Sequence, residues 1–369
     1  MLVWAFLADA VPLYPLYALL FADSGLSAGQ ISALFAVWSA VGLLAEVPSG
    51  ALADRFGRRT ALVAAGVLQA AGYVVWLGWP GFTGFAVGFA IWGLGGALRS
   101  GAQEALLYDG LAAVGAEAHY AGVNGWVQGA MWLAELPTAA AATLLYALGG
   151  YELAGWISVG VCLTGALLAM RLPEPSHADD ADDGEPGYLA TLRAGAVEAA
   201  ARPEVRFAVL AVALVGGFDA LEEYFPLITE GSGVPTVAVP LAMLPINVAG
   251  AVGAALGGPA DRLRPGALAA LTGVGMLLLG LAGMIPHPAG LAGVVLCWGS
   301  LQALLIVTEA RLQHRIASRS RATATSVAAL GMGLTAFGLY AAWAIGEITA
   351  VAVAGVVLAA VLPWLLRRR

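Results

Sequence analysis

The sequence is poor in charge and has no lysine. Only 11% of its 369 residues are charged, and all 17 basic residues are arginines, against 24 acidic residues. A soluble globular protein has about 25% charged residues, so this chain lacks the charge to cover its surface in water. The scarcity excludes an ordinary soluble enzyme, a disordered protein and a nucleic-acid-binding protein, and no nucleic acid is expected as a partner.

Cysteine and histidine are also scarce. The two cysteines, Cys162 and Cys297, lie far apart in apolar segments, so no disulfide framework is predicted. The four histidines show no metal-ligand spacing, and no serine or cysteine accompanies a base in a catalytic pattern. We therefore predict no catalytic site, no metal site, no cofactor and no enzymatic activity.

Apolar residues are abundant, at 60% of the chain with a mean hydropathy of +0.84. A helix needs about 20 apolar residues to cross a bilayer, and long charge-free stretches separated by turn residues occur throughout. The first stretch lacks a basic flank and is interpreted as a membrane helix rather than a cleaved signal peptide. We predict an all-α polytopic membrane protein with twelve transmembrane helices, spans 1 to 12. Their predicted limits are 2–22, 29–52, 60–79, 82–111, 120–147, 153–171, 205–228, 235–258, 266–285, 289–313, 322–345 and 347–366.

The arginines predict the orientation. If both termini are cytoplasmic, the loops assigned to the outside contain no arginine, as the positive-inside rule requires. We expect a multi-pass protein of the cell membrane. The arginines placed inside are Arg55, Arg58, Arg59, Arg262, Arg264, Arg319, Arg321 and the three at 367–369.

One polar stretch divides the chain. Residues 173–187 are acidic and contain prolines, and residues 188–204 predict a short helix on the inner membrane surface. The predicted domains are therefore an N-terminal six-helix bundle at 1–172, a cytoplasmic linker with its surface helix at 173–204, and a C-terminal six-helix bundle at 205–369.

An internal repeat supports this division. Several residues recur in the same order 205 to 210 positions later, which predicts two pseudo-symmetric six-helix bundles. The matched pairs are Asp9 with Asp219, Tyr14 with Tyr224, Asp54 with Asp261, Arg55 with Arg262, Trp92 with Trp298 and Glu104 with Glu309.

Carboxylates occur inside the predicted spans. Asp9 and Asp219 both lie near the bilayer middle, where a charge costs about 2.5–3.5 kcal/mol on insertion scales, so they are candidates for proton coupling. Glu222 and Glu223 follow Asp219 at i+3 and i+4, which on an α-helix puts all three on nearly one face. The alternatives are an ion pair or cap at Asp9 and Asp219, and an interfacial position for the two glutamates.

Other polar residues point to the interior. Asn124, Gln128 and Glu135 form one stripe on span 5, which contacts substrate or hydrogen-bonds neighbouring helices, and Glu135 is a further candidate for proton coupling. Several aromatic residues either stack on a solute or attract its charge, or else anchor at the interface or pack. They are Tyr14, Trp38, Trp126, Trp132 and Tyr224.

Arg99 is the only arginine deep within a span, so it needs a carboxylate partner. The candidate partners are Glu46, Glu104 and Glu135. Glu309 is expected to pair with Arg311 or Arg315. An interior lined mainly by carboxylates favours a neutral or cationic, partly apolar solute.

The loop between spans 2 and 3 carries a motif, Gly50-Ala-Leu-Ala-Asp54-Arg55-Phe-Gly57-Arg58-Arg59. Gly57 permits a tight turn, and Asp54 can cap a helix amino terminus. The motif and the span count resemble the major facilitator superfamily, whose signature loop has this pattern at this place.

The resemblance implies a secondary active transporter that works by alternating access, with this loop as a conformational gate. It also implies that Arg58 pairs with an acid at the inner end of span 4, for which Asp109 is the best candidate. The second copy of the loop, with Asp261 and Arg262, has lost its later glycine and is expected to play a supporting role.

The resemblance leaves the direction of transport open. Proton-coupled export of small organic solutes is the first expectation, and proton-coupled import is the alternative because span 5 lacks the Gly-Pro pair of family exporters. A receptor that kept the fold and lost transport is an alternative of another class. The expected partners are a small-molecule substrate, protons and the lipid bilayer, with the chain as a monomer.

Overall fold

The computed structural model describes residues 1–174, 203–316 and 321–367. Within these ranges the chain is helical and contains no strand. Most of the predicted linker, with its surface helix, lies outside the described residues, as does Arg319.

The first half contains six α-helices that correspond to spans 1 to 6. Span 1 is divided between the first two, and spans 5 and 6 are joined in the last. Their bounds are α1 Leu2–Asp9, α2 Tyr17–Asp23, α3 Ala28–Phe56, α4 Arg58–Gly78, α5 Phe82–Ala112 and α6 Tyr120–Ala169.

The second half repeats this order, with an additional short helix after span 8. Span 7 is again divided, here by the 3-10 helix Gly217–Tyr224, and spans 11 and 12 are joined. The bounds are α7 Pro203–Gly216, α8 Phe225–Gly231, α9 Val239–Ala255, α10 Gly257–Ala260, α11 Pro265–Met284, α12 Leu291–Arg315 and α13 Arg321–Leu365.

Nine helical segments of the described ranges are long and apolar enough to cross a membrane. Two of them each contain two predicted spans, because α6 bends at Gly149 and Gly150 and α13 bends at Gly346 and Glu347. Span 7 is not among the nine, and it is richer in charged residues than they are, with Arg206, Asp219, Glu222 and Glu223. The described residues are therefore consistent with the twelve predicted spans.

The described residues form two compact units. Residues 1–174 and 237–241 make up the first, and residues 203–236 and 242–367 make up the second. The exact ends of the predicted domains, at 172 and 204, stay predictions.

Spans 1 and 7 were expected to be continuous helices, and both are broken. Pro15 and Pro226 explain the breaks, because a proline has no N–H to donate and its ring clashes with the carbonyl four residues earlier. In span 1 the α-helix ends at Asp9 and a short 3-10 helix, Tyr14–Leu16, precedes α2. The repeat therefore reproduces a helix break as well as a sequence pattern.

Aromatic rings form the core of the first unit beside α2. Tyr17 and Phe21 are buried and meet Trp76 of α4 with ring centroids 5.8 and 5.2 Å apart. Phe89 of α5 lies 4.8 Å from Trp76, edge to face. Such pairs contribute about 0.5–1.5 kcal/mol beyond the area they bury, so this cluster holds α2, the second piece of span 1, firmly.

A glycine contact packs spans 8 and 10 of the second unit. A Cβ atom on Gly253 would lie 2.0 Å from the carbonyl oxygen of Gly299, so no larger residue fits. Close backbone approach through small residues is how membrane helices pack without a hydrophobic driving force.

Candidate functional site

The break in span 1 is fixed by a side chain from span 6. The backbone N–H of Leu13 donates a hydrogen bond of 2.9 Å to the hydroxyl oxygen of Ser158. Ser158 is fully buried and in turn donates to the carbonyl of Ala154 at 2.7 Å. A backbone N–H without a partner inside a membrane is costly. Ser158 supplies the hydrogen-bond acceptor that the broken helix does not provide for Leu13.

Asp9, the last residue of α1 before this break, pairs with Arg99. The Arg99 guanidinium nitrogen Nη2 lies 2.7 Å from Asp9 Oδ1, and the Arg99 side chain is only 16% exposed. The guanidinium also lies over the ring of Trp4, 5.8 Å from its centroid. The sequence analysis gave Glu46, Glu104 and Glu135 as candidate partners and did not include Asp9, whose carboxylate span 1 places beside the arginine.

Asp219 occupies the corresponding position in span 7. It lies in the 3-10 helix Gly217–Tyr224 and accepts a 2.8 Å hydrogen bond from the amide of Gln302 on α12. Both halves thus place a carboxylate at a helix break and connect it to the fourth span of the same half. Discontinuous helices of this kind form substrate and ion sites in transporters, and a stretch of 3-10 helix within a span often marks a functional hinge.

The 3-10 geometry separates the two glutamates that follow Asp219. With three residues per turn, Glu222 is aligned with Asp219 whereas Glu223 is rotated away. Glu222 is accordingly exposed and Glu223 is buried. The prediction that all three carboxylates share one face was wrong for Glu223, because it assumed an α-helix.

The two matched tyrosines lie in different surroundings. Tyr14 is 39% exposed and meets Tyr17 edge to face. Tyr224 is fully buried and stacks on Trp343 with ring centroids 4.0 Å apart. Of the two, only Tyr14 presents its ring to a solute without a rearrangement of the described residues.

The polar stripe of span 5 is divided between two environments. Gln128 is exposed and lines a cavity, while Asn124 and Glu135 are half-buried. The side-chain oxygen of Asn124 is buried and accepts no hydrogen bond from any residue in the described ranges.

The cavity lies within the first unit and has a volume of about 530 Å³. Arg99 lines it together with residues of spans 2, 3, 4 and 5. The sequence interpretation named Trp38 as a possible solute contact and Glu46 and Glu104 only as candidate partners of Arg99. It assigned no site role to three further lining residues, Gln69, Trp92 and Gln103. The signal that could have identified these residues is their helical position. Each lies either on the same face of span 4 as Arg99 or on a span next to it.

The loop between spans 2 and 3 is stabilised at its arginines. Arg58 donates to the carboxylate of Asp109 and, at 3.0 Å, to the carbonyl of Ala105. Gly57 has φ +94°, a left-handed conformation that favours glycine. The pair that the resemblance implies between Arg58 and Asp109 is therefore present.

A residue from the start of the linker caps the helix after this loop, in place of Asp54. The Glu174 carboxylate accepts the backbone N–H of Arg59 at 3.0 Å and lies 3.5 Å from the Arg59 side chain. Asp54 is largely exposed and lies 3.8 Å from Arg58. The prediction that Asp54 caps this helix was wrong, because Glu174 occupies its amino terminus.

The remaining loop residues make fewer contacts. Gly50 lies within α3 with open space around its Cα, and Arg55 lies over the ring of Phe56, 5.4 Å from its centroid.

In the second half the charges of the pair that corresponds to Arg58 and Asp109 are exchanged. Asp261 follows α10 and receives a 2.7 Å hydrogen bond from Arg311 of α12, which also donates to the backbone carbonyl of Asp261 at 3.1 Å. Arg311 therefore pairs with the loop rather than with Glu309. Arg262 is exposed.

Comparisons with known proteins agree with this architecture. A family model described as Major Facilitator Superfamily matches residues 2–346. No curated protein matches the chain by sequence.

Solved structures share the fold at low sequence identity. The chain is similar to a point mutant of the nucleoside transporter NupG, with 14% identity, a TM-score of 0.79 and coverage of 99% of this chain and 98% of that one. It is similar to a D-xylose-proton symporter with 18% identity, a TM-score of 0.65 and coverage of 97% and 94%. It is also similar to the E. coli fucose:proton symporter, with 18% identity, a TM-score of 0.57, and coverage of 99% of this chain and 96% of that one. The chain belongs to the major facilitator superfamily of transporters.

Proposed function

We propose that this protein is a proton-coupled secondary transporter that exports small organic solutes, neutral or cationic and partly apolar, by alternating access. The observation that carries the proposal is the matched pair of helix breaks, each with a carboxylate joined to the fourth span of its own half. A carboxylate at a break can exchange a proton and change the local hydrogen bonds in one event.

Asp219 is the proposed proton carrier. Its partner Gln302 is neutral, so the pair carries no compensating positive charge when Asp219 is ionised. Asp9 differs, because its partner Arg99 is a cation that lies 2.7 Å from its carboxylate. We therefore assign proton binding and release to Asp219, and we assign to Asp9 the role of keeping Arg99 in place beside the cavity.

The proposed gate is the loop between spans 2 and 3. Arg58, Asp109 and the cap from Glu174 hold it against the inner ends of spans 3 and 4. A loop fixed by charged contacts has a bound and a released arrangement, which is what a conformational gate requires. Arg311 and Asp261 provide the supporting contact in the second half. The proposed orientation has both termini in the cytoplasm, and the proposed state is a monomer in the cell membrane.

The test uses purified protein in liposomes with an imposed pH gradient. We expect flux of a solute from a screen of small organic compounds, and we expect Asp219→Asn to remove its dependence on the gradient. Glu152→Gln is the matched control, because Glu152 is an exposed acid of the same chain outside the breaks. Gradient-driven flux that survives Asp219→Asn would contradict the assignment, and a bound ligand without flux of any compound would favour a receptor.

Import by proton symport is the second candidate. The observation that favours it is span 5, which has no Gly-Pro pair and whose Pro137 follows Leu136. Measuring proton movement inside the liposomes during solute flux separates the two directions. Opposite movement of proton and solute supports export, and movement in the same direction supports import.

A further inference from the structure

The cavity of the first unit has the size of a ligand site. Its volume of about 530 Å³ falls in the range of sites that hold drug-sized molecules. Five lining residues carry the argument that follows. They are Trp38, Glu46, Gln69, Trp92 and Glu104.

The charges of this cavity do not balance. Arg99 is compensated by Asp9 at 2.7 Å. Glu46 and Glu104 are exposed, and across residues 1–174, 203–316 and 321–367 neither forms an ion pair. The lining therefore carries two carboxylates without a counter-charge, which repels anions and attracts cations.

Aromatic rings add a second preference for cations. Trp38 and Trp92 lie in the same cavity with ring centroids 5.6 Å apart and planes inclined by 58°. The face of an indole attracts a cation through the ring quadrupole, and its area also accommodates an apolar body. These two rings favour a ligand that is both positively charged and partly apolar.

Gln69 supplies a hydrogen-bonding group. It lines the cavity and is only 8% exposed. A ligand group that donates to its amide oxygen or accepts from its amide nitrogen would form a hydrogen bond that is largely shielded from solvent.

We infer that this cavity binds an amphipathic organic monocation that carries an ammonium group, an aromatic or alkyl body and a hydrogen-bonding group. The inference names the substrate class of the transporter and rests on the proposed function for its role in transport. A neutral polyol would bring no positive charge to Glu46 or Glu104 and would not use the indole faces.

The test is equilibrium binding of radiolabelled benzyltrimethylammonium to the purified full-length chain in detergent. The competitor is neopentylbenzene, an uncharged molecule of the same shape, and we expect it not to compete. Glu46→Gln and Glu104→Gln should each weaken binding by at least about tenfold, because each removes a charge partner of the cation. Glu46→Asp, which keeps the charge, should retain most of the binding, and Glu152→Gln should leave it unchanged.

Gln69 is tested with a hydroxylated probe. (3-Hydroxybenzyl)trimethylammonium should bind more tightly than benzyltrimethylammonium, and Gln69→Leu should remove that gain while leaving the parent compound unaffected.

Two results would overturn the inference: equal competition by neopentylbenzene on the unmodified chain, or full binding by folded Glu46→Gln and Glu104→Gln variants. The assay uses no gradient, so its failure is separate from failure of the proposed function. If the chain does not bind the cation but carries another solute in an Asp219-dependent way, the inferred cation site is wrong and the proposed transport function stands. If the chain binds the cation but shows no gradient-driven flux, proton coupling is wrong and the cation site stands.

Discussion

Asp9 in the first half faces a guanidinium, whereas Asp219 in the second half faces an amide. The helix break and the connection to the fourth span are common to both halves, and the partner alone differs. An ion pair holds one charge state, while a carboxylate beside a neutral donor can change its charge without leaving a cation uncompensated. The two halves therefore share the helix break with its carboxylate, and we assign a different role to each carboxylate: an ion pair at Asp9 and proton exchange at Asp219.

The largest stability difference between the halves should come from neutralising each aspartate. Asp9→Asn leaves the nearly buried Arg99 without its counter-charge, and we expect a loss of about 2 kcal/mol, below the 3–5 kcal/mol of fully buried pairs because Asp9 is one-third exposed. Asp219→Asn keeps a polar partner for Gln302, and we expect a change within about 0.5 kcal/mol. Unfolding in mixed micelles measures both.

The double variant Asp9→Asn with Arg99→Gln is the control for this comparison. Removal of both charges should recover more than half of the lost stability. Equal losses of stability for the two single asparagine variants would contradict the difference between the cationic partner of Asp9 and the neutral partner of Asp219.

The inner ion pairs offer a second comparison, because their charges are exchanged between the halves. Arg311→Ala removes bonds to a carboxylate and a backbone carbonyl of Asp261, and Arg58→Ala removes the corresponding contacts to Asp109 and Ala105. We expect each to lower the free energy of unfolding by about 1.5 kcal/mol.

Exchanging the charges within each pair sharpens this prediction. The double variants Arg58→Asp with Asp109→Arg, and Asp261→Arg with Arg311→Asp, should each be more stable than their own single charge reversals. A double variant that is no better than its single variants would mean that the charges act through other groups.

The hydrogen bond at the break of span 1 is made within the first half, so the effect of removing Ser158 should be confined to that half. Ser158→Ala leaves the Leu13 N–H without an acceptor, and we expect a loss of about 1–2 kcal/mol. Hydrogen exchange at Leu13 should accelerate with it. Unchanged exchange would indicate that another group, such as water, satisfies this amide.

The smallest effect should be at the helix that follows each loop. Span 3 begins with Glu174 at its backbone N–H groups, whereas span 9 begins with Pro265, which has no N–H to satisfy. Glu174→Ala should cost about 1 kcal/mol, and Glu174→Gln should cost about 0.5 kcal/mol because the amide oxygen still accepts the hydrogen bond. Thermal unfolding of the two variants, with Glu117→Ala as an exposed control, measures the difference.

The spans and the loop motif followed from sequence because they depend on local properties. Apolar runs of about 20 residues marked the helices, and the contact between Arg58 and Asp109 was implied by the resemblance of the loop motif to the family signature. Helix boundaries agree within a few residues, as for 82–111 against Phe82–Ala112.

The partners of buried polar groups could not be predicted in the same way. Arg99 lies five residues from Glu104 in sequence, yet its partner is Asp9, 90 residues away. Ser158 is separated from Leu13 by 145 residues. Such contacts depend on how helices rotate about their axes and which faces they present, and a single sequence with hydrophobic residues on most faces does not specify that rotation.

The position of Pro15 was visible, but its consequence required the three-dimensional structure. The second piece of span 1, α2, is held in aromatic packing and Ser158 fixes the break, so the break is the point about which α1, itself packed through Trp4 and Ala5, would tilt. Eight residues of α-helix are about 12 Å long. A tilt of about 10° at the break therefore moves the far end of α1 by about 2 Å, while Asp9 beside the pivot barely shifts. The inner end of the span can thus change position at little cost to the carboxylate's own contact with Arg99.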